Sequence, residues 1–252
     1  MTQERRKQIV ELINKKQTIK NEELISMFGI SIETVRRDLL FLEKAGCLDR
    51  VYGGAVRKSY LRVEPKLIDR EKVNAEEKMA IAQQALHLIA DKDIVFFDQG
   101  TTVLQLAKLL KKDTEIFGFT ASLHVAMTLS EKISNVTILG GTLRAGEFAV
   151  SGSLAQENMK QFNIDKAFIG VAGLIEEGCT DFIQEEAILR QNVIKNANQV
   201  IVLADHTKFG VRTMCNVCAI EDIDIVITDK KSPGNILKIL EKKGVQVIIA
   251  ND

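Results

Sequence analysis

The stretch from Ser31 to Gly54, SIETVRRDLLFLEKAGCLDRVYGG, decides the first part of the fold. Ile32, Val35, Leu39 and Leu42 recur at i, i+3, i+7 and i+10, which is one apolar stripe along a helix. Ser31 stands where a hydroxyl can cap the first free N–H groups, and Thr34 follows three residues on. Arg37 falls nearly opposite the stripe, with Arg36 and Thr34 on its flanks. Such a helix packs through Val35 and Leu39. Its N-terminal half then turns Ser31, Thr34, Arg36 and Arg37 outward. The following LDRVYGGAV supplies two short strands around a Gly53-Gly54 turn.

Upstream, ERRKQIVELIN (residues 4–14) carries Ile9, Leu12 and Ile13 at helical spacing. A second helix is predicted from Asn21 to Phe28, with Leu24, Ile25 and Phe28 apolar and Gly29 as its stop. Two helices joined by a short glycine turn, the second with a basic polar front, form a helix-turn-helix. In that arrangement the arginines serve phosphates or guanine edges, and the helix N-terminus favours a phosphate. The hairpin makes the module winged, and Arg50 and Tyr52 would touch the DNA backbone or minor groove. The bland alternative is a solvated helix whose arginines pair with Glu33, Asp38 or Glu43. Against it stands the whole string. RRKQIVELI, EELISMFGIS and TVRRDLLFLEKAGCLDRVYGGAV resemble the winged helix of DeoR-family transcriptional regulators. Thr34-Val35-Arg36-Arg37-Asp38-Leu39 matches that family's recognition helix, and Gly53-Gly54-Ala55 its wing. Lys20 departs from the family's frequent Ser or Thr cap on the second helix.

The chain has 252 residues, enough for one small and one medium domain. With 46% hydrophobic and 27% charged residues it fits an ordinary soluble globular protein. No apolar run is long enough to span a bilayer and no signal peptide is evident, so a cytoplasmic location without membrane contact is expected. Net charge is zero overall but uneven. Residues 1–58 hold 12 Lys and Arg against 8 Asp and Glu, and the remainder 22 against 26. A basic head on an acidic body suits a polyanion partner at the N-terminus. Four cysteines occur, of which Cys215 and Cys218 form a lone CxxC in a predicted loop or strand edge. That pair falls short of the four ligands of a structural zinc site.

Residues 1–57 are therefore assigned to an α+β winged helix-turn-helix, 58–73 to a linker and 74–252 to a second domain. The linker, around RKSYLRVEPKLIDREK, lacks periodicity and contains Pro65. Asn74 with Glu77 suggests a box-like cap on the next helix, whose stripe is Met79, Ala82, Leu86 and Ile89. Continuous apolar strands such as IVFFD (94–98), KAFIGVAG and QVIVLAD then alternate with helices. This argues for an α/β body with a largely parallel sheet.

Ligands of such sheets bind at the carboxyl ends of strands. Here those ends read DQGTT, FTAS, GGTLR, GVAG and ADHTKFG. Gly100, Thr101 and Thr102 open a helix where an anion can meet backbone N–H groups. Thr120 and Ser122, Gly140 and Gly141, and Arg144 follow on later ends. Thr101 and Thr102 with Lys208 or Arg144 would hold a phosphate, and Asp98 would accept from a sugar hydroxyl. Glycine and threonine after strands are also ordinary turn chemistry, so it is the convergence that counts. Asp98-x-Gly100-Thr101-Thr102, Gly140-Gly141, Phe168-Ile169-Gly170, Glu185-Glu186-Ala187 and Asp205-x-x-Lys208-Phe209-Gly210 resemble the DeoR-family sensor domain. That resemblance implies a fold related to ribose-5-phosphate isomerase and a sugar-phosphate effector, adding Glu185 and Asp205 to the candidate site. Gln99 and Phe119-Thr120-Ala121 depart from the family pattern and bear on sugar selection.

The rival reading is a sugar-phosphate isomerase-like enzyme fused to a DNA-binding head. Enediol chemistry needs a general base beside a group that stabilises the oxyanion. Between Lys166 and Lys195 there is no lysine, so catalysis is not expected and no cofactor is called for. His124 fits a helix face, and His206 fits either the pocket or its loop. A purely architectural DNA protein would have no use for this body. The expectation is a repressor of a sugar or polyol catabolic operon. It would bind double-stranded operator DNA as a homodimer or homotetramer under the control of a phosphorylated sugar or polyol.

Overall fold

The computed structural model describes residues 2–16, 18–44, 47–51, 53–57 and 64–250. It divides into two compact units, Met1–Tyr60 and Leu61–Asp252. The first contains α1 (Thr2–Lys16), β1 (Thr18–Lys20), α2 (Asn21–Phe28), α3 (Ile32–Lys44), β2 (Leu48–Val51) and β3 (Gly54–Arg57). Ile9 and Ile13 of α1 meet Leu24 of α2 and Val35, Leu39 and Leu42 of α3 in one core. Helix α2 has the predicted bounds, and Gly29 ends it in the left-handed region at φ 60°. Its N-cap residue Lys20 provides no side-chain cap; instead the Asn21 N–H donates to the Gly53 carbonyl at 2.9 Å. The wing turn thus satisfies the helix that lacks a hydroxyl cap. The three-residue β1 was not expected from sequence. It pairs antiparallel with β3 in a sheet of order β1-β3-β2.

The second unit begins with α4 (Leu67–Lys72), α5 (Ala75–Leu86), β4 (Ile94–Phe97), α6 (Thr101–Leu109), β5 (Phe117–Thr120), α7 (Leu123–Ser130) and β6 (Asn135–Ile138). A hairpin of β7 (Thr142–Arg144) and β8 (Ala149–Ser151) follows, then α8 (Ser153–Met159) and β9 (Ile164–Gly170). Next come β10 (Gly173–Ile175), β11 (Gly178–Asp181), α9 (Gln184–Lys195), β12 (Ala197–Leu203) and β13 (Cys215–Ala219). The unit closes with β14 (Ile225–Asp229), α10 (Gly234–Lys242) and β15 (Gln246–Ala250).

Seven of these strands form a parallel sheet in the order β15-β14-β12-β9-β4-β5-β6. Alternation sends Val95 and Phe97 of β4 to one face, under α5, α6 and α7. It sends Phe96 to the other, under α8, α9 and α10. The chain winds outward from β4 through β5 to β6, then returns to β9 and winds the other way. The reversal lies between β4 and β9, which is where a doubly wound sheet opens a crevice at its carboxyl edge.

Three expectations need correcting. Residues 67–72 of the presumed linker form helix α4 and belong to the second unit. On α5 the fully buried positions are Lys78, Ala80, Ile81, Ala82 and Ala85; Leu86 and Ile89 pack partly buried against the same core, and Met79 is not among the core residues. Asn74 caps nothing: it adopts φ 53° and its Nδ2 donates to Asp205 Oδ1 at 3.2 Å. The expected strand edge holds for the cysteine pair: Cys215 and Cys218 lie on β13, the edge strand of the sheet β10-β11-β13, and both pack against the same core, with Cys218 opposite Cys179 of β11 where the register shifts.

Candidate DNA-binding face and effector site

In the first unit, α3 is fixed by its buried side. Asp38 is drawn inward and accepts from Arg5 Nε at 2.8 Å and Arg6 Nε at 2.7 Å. The Arg6 guanidinium also lies 3.8 Å from the centre of the Phe41 ring. Asp38 is therefore spent on holding α1 and is not a partner for the arginines of α3. Arg36 comes only within 3.7 Å of Glu33, an exposed pair of small energetic weight. Arg37 is exposed and has no ion-pair partner among the described residues. Ser31 Oγ accepts from the Thr34 N–H at 3.3 Å and meets the Thr34 hydroxyl at 3.1 Å, so both serve the helix start. On the wing, the Arg50 N–H donates to Glu43 at 3.1 Å, which ties the strand to α3. Tyr52 lies outside the described residues.

In the second unit, the parallel register carries the expected residues to the same edge. Asp98 follows β4 and is buried against its surroundings. It accepts from the Gln99 N–H at 2.8 Å, the Gly170 N–H at 3.0 Å and Arg190 Nε at 2.6 Å. Three of its acceptor positions are taken, so Asp98 braces the junction of β4 and β9 and has little capacity left for the sugar hydroxyl expected from sequence. Arg190 Nη1 also donates to Asp181 at 2.6 Å. Burial works against that guanidinium's charge, but Asp181 and Asp98 outweigh it and hold the proton on. Arg190 was missed from sequence. The available signal was an arginine at i+3 between Ala187 and Ile194 on the buried face of α9.

Gly100, at φ 125°, leads into α6, and Thr101 and Thr102 are buried in its first turn. Thr120 accepts from the Ser122 N–H at 3.1 Å, and Ser122 caps α7 by accepting from Val125 at 3.4 Å. Both residues shape the turn after β5. Gly141, at φ 139°, passes so near β8 that a Cβ would fall 2.3 Å from the Ser151 carbonyl oxygen. Gly140 stands beside it near Asn158. Glu185 accepts from Ser151 Oγ at 3.2 Å.

Arg144 was expected to hold phosphate, yet carboxylates occupy it. Its Nη1 donates to Glu64 at 2.6 Å and its Nε lies 2.7 Å from Glu186 Oε1. Glu186 receives Gln99 Nε2 on its other oxygen. Burial pushes the Glu186 carboxyl up to about 7, against the pull of Arg190 and Arg144.

Asp205, after β12, accepts from the Thr207 N–H at 2.9 Å and from Asn74, so it organises its own loop. His206 is turned to Asp229, with Nδ1 3.1 Å from its carboxylate. His124 stacks on Phe148 with ring centres 4.3 Å apart. Lys208 is half-buried, and its ammonium has no ion-pair partner among the described residues. Near Asp205 and Lys208 lies a second residue missed from sequence, Lys78. Its Nζ donates to the Arg70 and Val73 carbonyls, and burial lowers it to about 8.

A family model described as the DeoR-like helix-turn-helix domain matches residues 5–60. A second, the DeoR C terminal sensor domain, matches residues 73–230. The HTH-type transcriptional regulator GlpR of Haloferax volcanii is 35% identical over 246 residues, spanning 97% of this chain and 96% of that protein. The glycerol-3-phosphate regulon repressor of Escherichia coli K12 is 30% identical over 241 residues, 95% of each chain. Among solved structures, ribose 5-phosphate isomerase A of Methanocaldococcus jannaschii covers 54% of this chain and 55% of its own. It does so at 20% identity and a TM-score of 0.40. Among the described residues no helix is long and apolar enough to cross a membrane. Two matched domains and relatives that are regulators along nearly their whole length make this chain a member of the DeoR family, a DNA-binding transcriptional regulator with a C-terminal sensor domain and not an enzyme.

Proposed function

We propose that the protein represses a sugar or polyol catabolic operon and that a phosphorylated sugar or polyol, bound at the carboxyl edge of the parallel sheet, controls its grip on operator DNA. The observation that carries this reading is the edge around the β4–β9 reversal. The helix start at Gly100, Thr101 and Thr102 adjoins it, and the same edge carries Lys208, a cation that no described residue neutralises. A helix N-terminus and a free ammonium together suit a phosphate dianion. The name of the Escherichia coli relative, a glycerol-3-phosphate regulon repressor, supports the same ligand class. Arg37 and Arg36 would face the operator from α3, with Ser31, Thr34, Arg50 and Tyr52 around them. A homodimer or homotetramer would place paired heads on repeated half-sites, as a cytoplasmic regulator of this architecture requires.

The test is fluorescence anisotropy on the promoter beside the protein's own gene, at two salt concentrations, with a panel of phosphorylated hexoses, pentoses and glycerol. Specific, salt-sensitive binding that one ester alters is expected. Arg37→Ala should weaken operator binding about 5- to 100-fold. Lys208→Ala should keep operator binding and lose the response to the ester. Loss of operator binding by a folded Lys208→Ala variant would overturn this division of labour.

A further inference from the structure

The ion pairs around Arg144 extend beyond the strand edge. Glu64, among the first described residues after the head, is held by Arg144 at 2.6 Å and by Arg70 of α4 at 3.0 Å. Arg70 also donates to Glu147, in the turn of the β7–β8 hairpin. The other Glu147 oxygen accepts the Leu67 N–H at 3.1 Å, at the start of α4. On the opposite side, Arg144 faces Glu186, and Glu186 holds Gln99 beside the Gly100 helix start. One guanidinium therefore stands between the candidate effector edge and the segment that leads to the DNA-binding unit.

This cluster crowds three carboxyl groups around two guanidiniums: Glu64, Glu147 and Glu186 share Arg70 and Arg144 as ion-pair partners, and the charge of Arg190 also acts on Glu186. It is also imperfectly bonded. Arg144 Nε and Glu186 Oε1 are close but misaligned, and both lack a hydrogen-bond partner, as does the buried Gln99 Oε1. Buried polar atoms left in this state are costly, and a better partner displaces the existing one. A phosphate offers Arg144 two parallel acceptors, which a misaligned carboxylate does not.

We propose that Arg144 is an exchange point: an anionic effector at the strand edge takes its guanidinium from Glu64 and Glu186, and so releases residues 64–72 from the sensor domain. This rests on the reading that the effector is a phosphate ester at that edge. The competition supplies what any such switch needs, a ligand that binds one arrangement better than the other. Linkage makes the coupling reciprocal. Removing the charge of Glu64 must tighten the effector and must imitate it. A Glu64 that merely supported the fold would do neither.

The experiment uses full-length wild type, Glu64→Gln and Arg144→Lys, with Glu157→Gln at an exposed pair as a control. The probes are inorganic phosphate, glycerol 3-phosphate and hexose phosphates. Calorimetry reads their Kd, and hydrogen exchange reads residues 64–72. E64Q is expected to bind the responding ester about tenfold tighter than wild type. Without ligand it should show the exchange at 64–72, and the operator affinity, that wild type shows only with ligand. R144K keeps a point charge without the fork, and should leave 64–72 unprotected with or without ester. An ester that binds wild type and E64Q equally, with 64–72 unchanged, overturns the exchange while leaving the effector site standing. Failure of every probe to bind wild type overturns the effector class, and the exchange with it.

Discussion

Arg190 shows what a single residue does here. It lies fully inside the protein between Asp98 and Asp181, each at 2.6 Å, and so ties the end of β4 to β11 and α9. Breaking such a buried pair from one side leaves carboxylates uncompensated and costs about 3–5 kcal/mol. Arg190→Met should therefore lower the unfolding free energy of the sensor domain by that amount, read from urea denaturation followed by circular dichroism. Glu186 makes the opposite demand, because it is buried without a full complement of donors. Burial pushes its carboxyl to about 7 from an ordinary 4.5, with Arg190 and Arg144 pulling down and Asp181 and Glu64 pushing up. The folded protein keeps this proton where the unfolded chain has lost it. The contribution is thus complete below pH 4.5 and disappears as pH rises through 7, with an upper bound on the order of 3 kcal/mol. Wild type should lose melting temperature relative to Glu186→Gln between pH 5 and pH 8. A constant gap would show that Glu186 is not the titrating group.

At the scale of elements, legibility followed the kind of signal each element carries. Helix α2 was readable to the residue because Gly29 is a backbone stop, and the strands of the parallel sheet because they are unbroken apolar runs. The three residues of β1 and the six of α4 are too short and too polar to show a period. The ion pairs were illegible for another reason. Arg144 and Glu64 are 80 residues apart and Arg190 and Asp98 are 92, so only the fold brings them together. The strand ends that make up the candidate effector edge were legible because they follow apolar runs. Asp98, Ser122 and Asp205 in it turned out to be braces, caps and loop anchors, roles that depend on partners no local window contains. The unexpected β1 leads to a prediction about the wing. A Cβ on Gly54 would fall 2.1 Å from the Ile19 carbonyl oxygen, and backbone cannot yield as a side chain can. Gly54→Ala should force β1 from β3, destabilise the head by about 1–3 kcal/mol, and withdraw the Gly53 carbonyl from the start of α2. Operator affinity should fall while effector binding, read calorimetrically, stays unchanged.

At the scale of the whole molecule, the chain contains cores that do not mix. Ile9, Leu24, Val35 and Leu39 belong to one that draws no residue from beyond Ala55 among its buried members. The two faces of the parallel sheet draw none from before Ala80. Units with separate cores need not unfold together, and a single melting temperature then has no defined meaning. Calorimetry of the full chain should resolve two transitions, the smaller from the head. Asp38→Ala leaves Arg5 and Arg6 without their shared carboxylate and should move only the smaller transition. Arg190→Met should move only the larger one, as should the phosphate ester, since a ligand stabilises just the unit that binds it. The alternative outcome is equally sharp. If one cooperative transition answers to both variants, head and sensor domain share free energy directly. Control of DNA binding would then act through the stability of the head itself and not through the segment that joins the two.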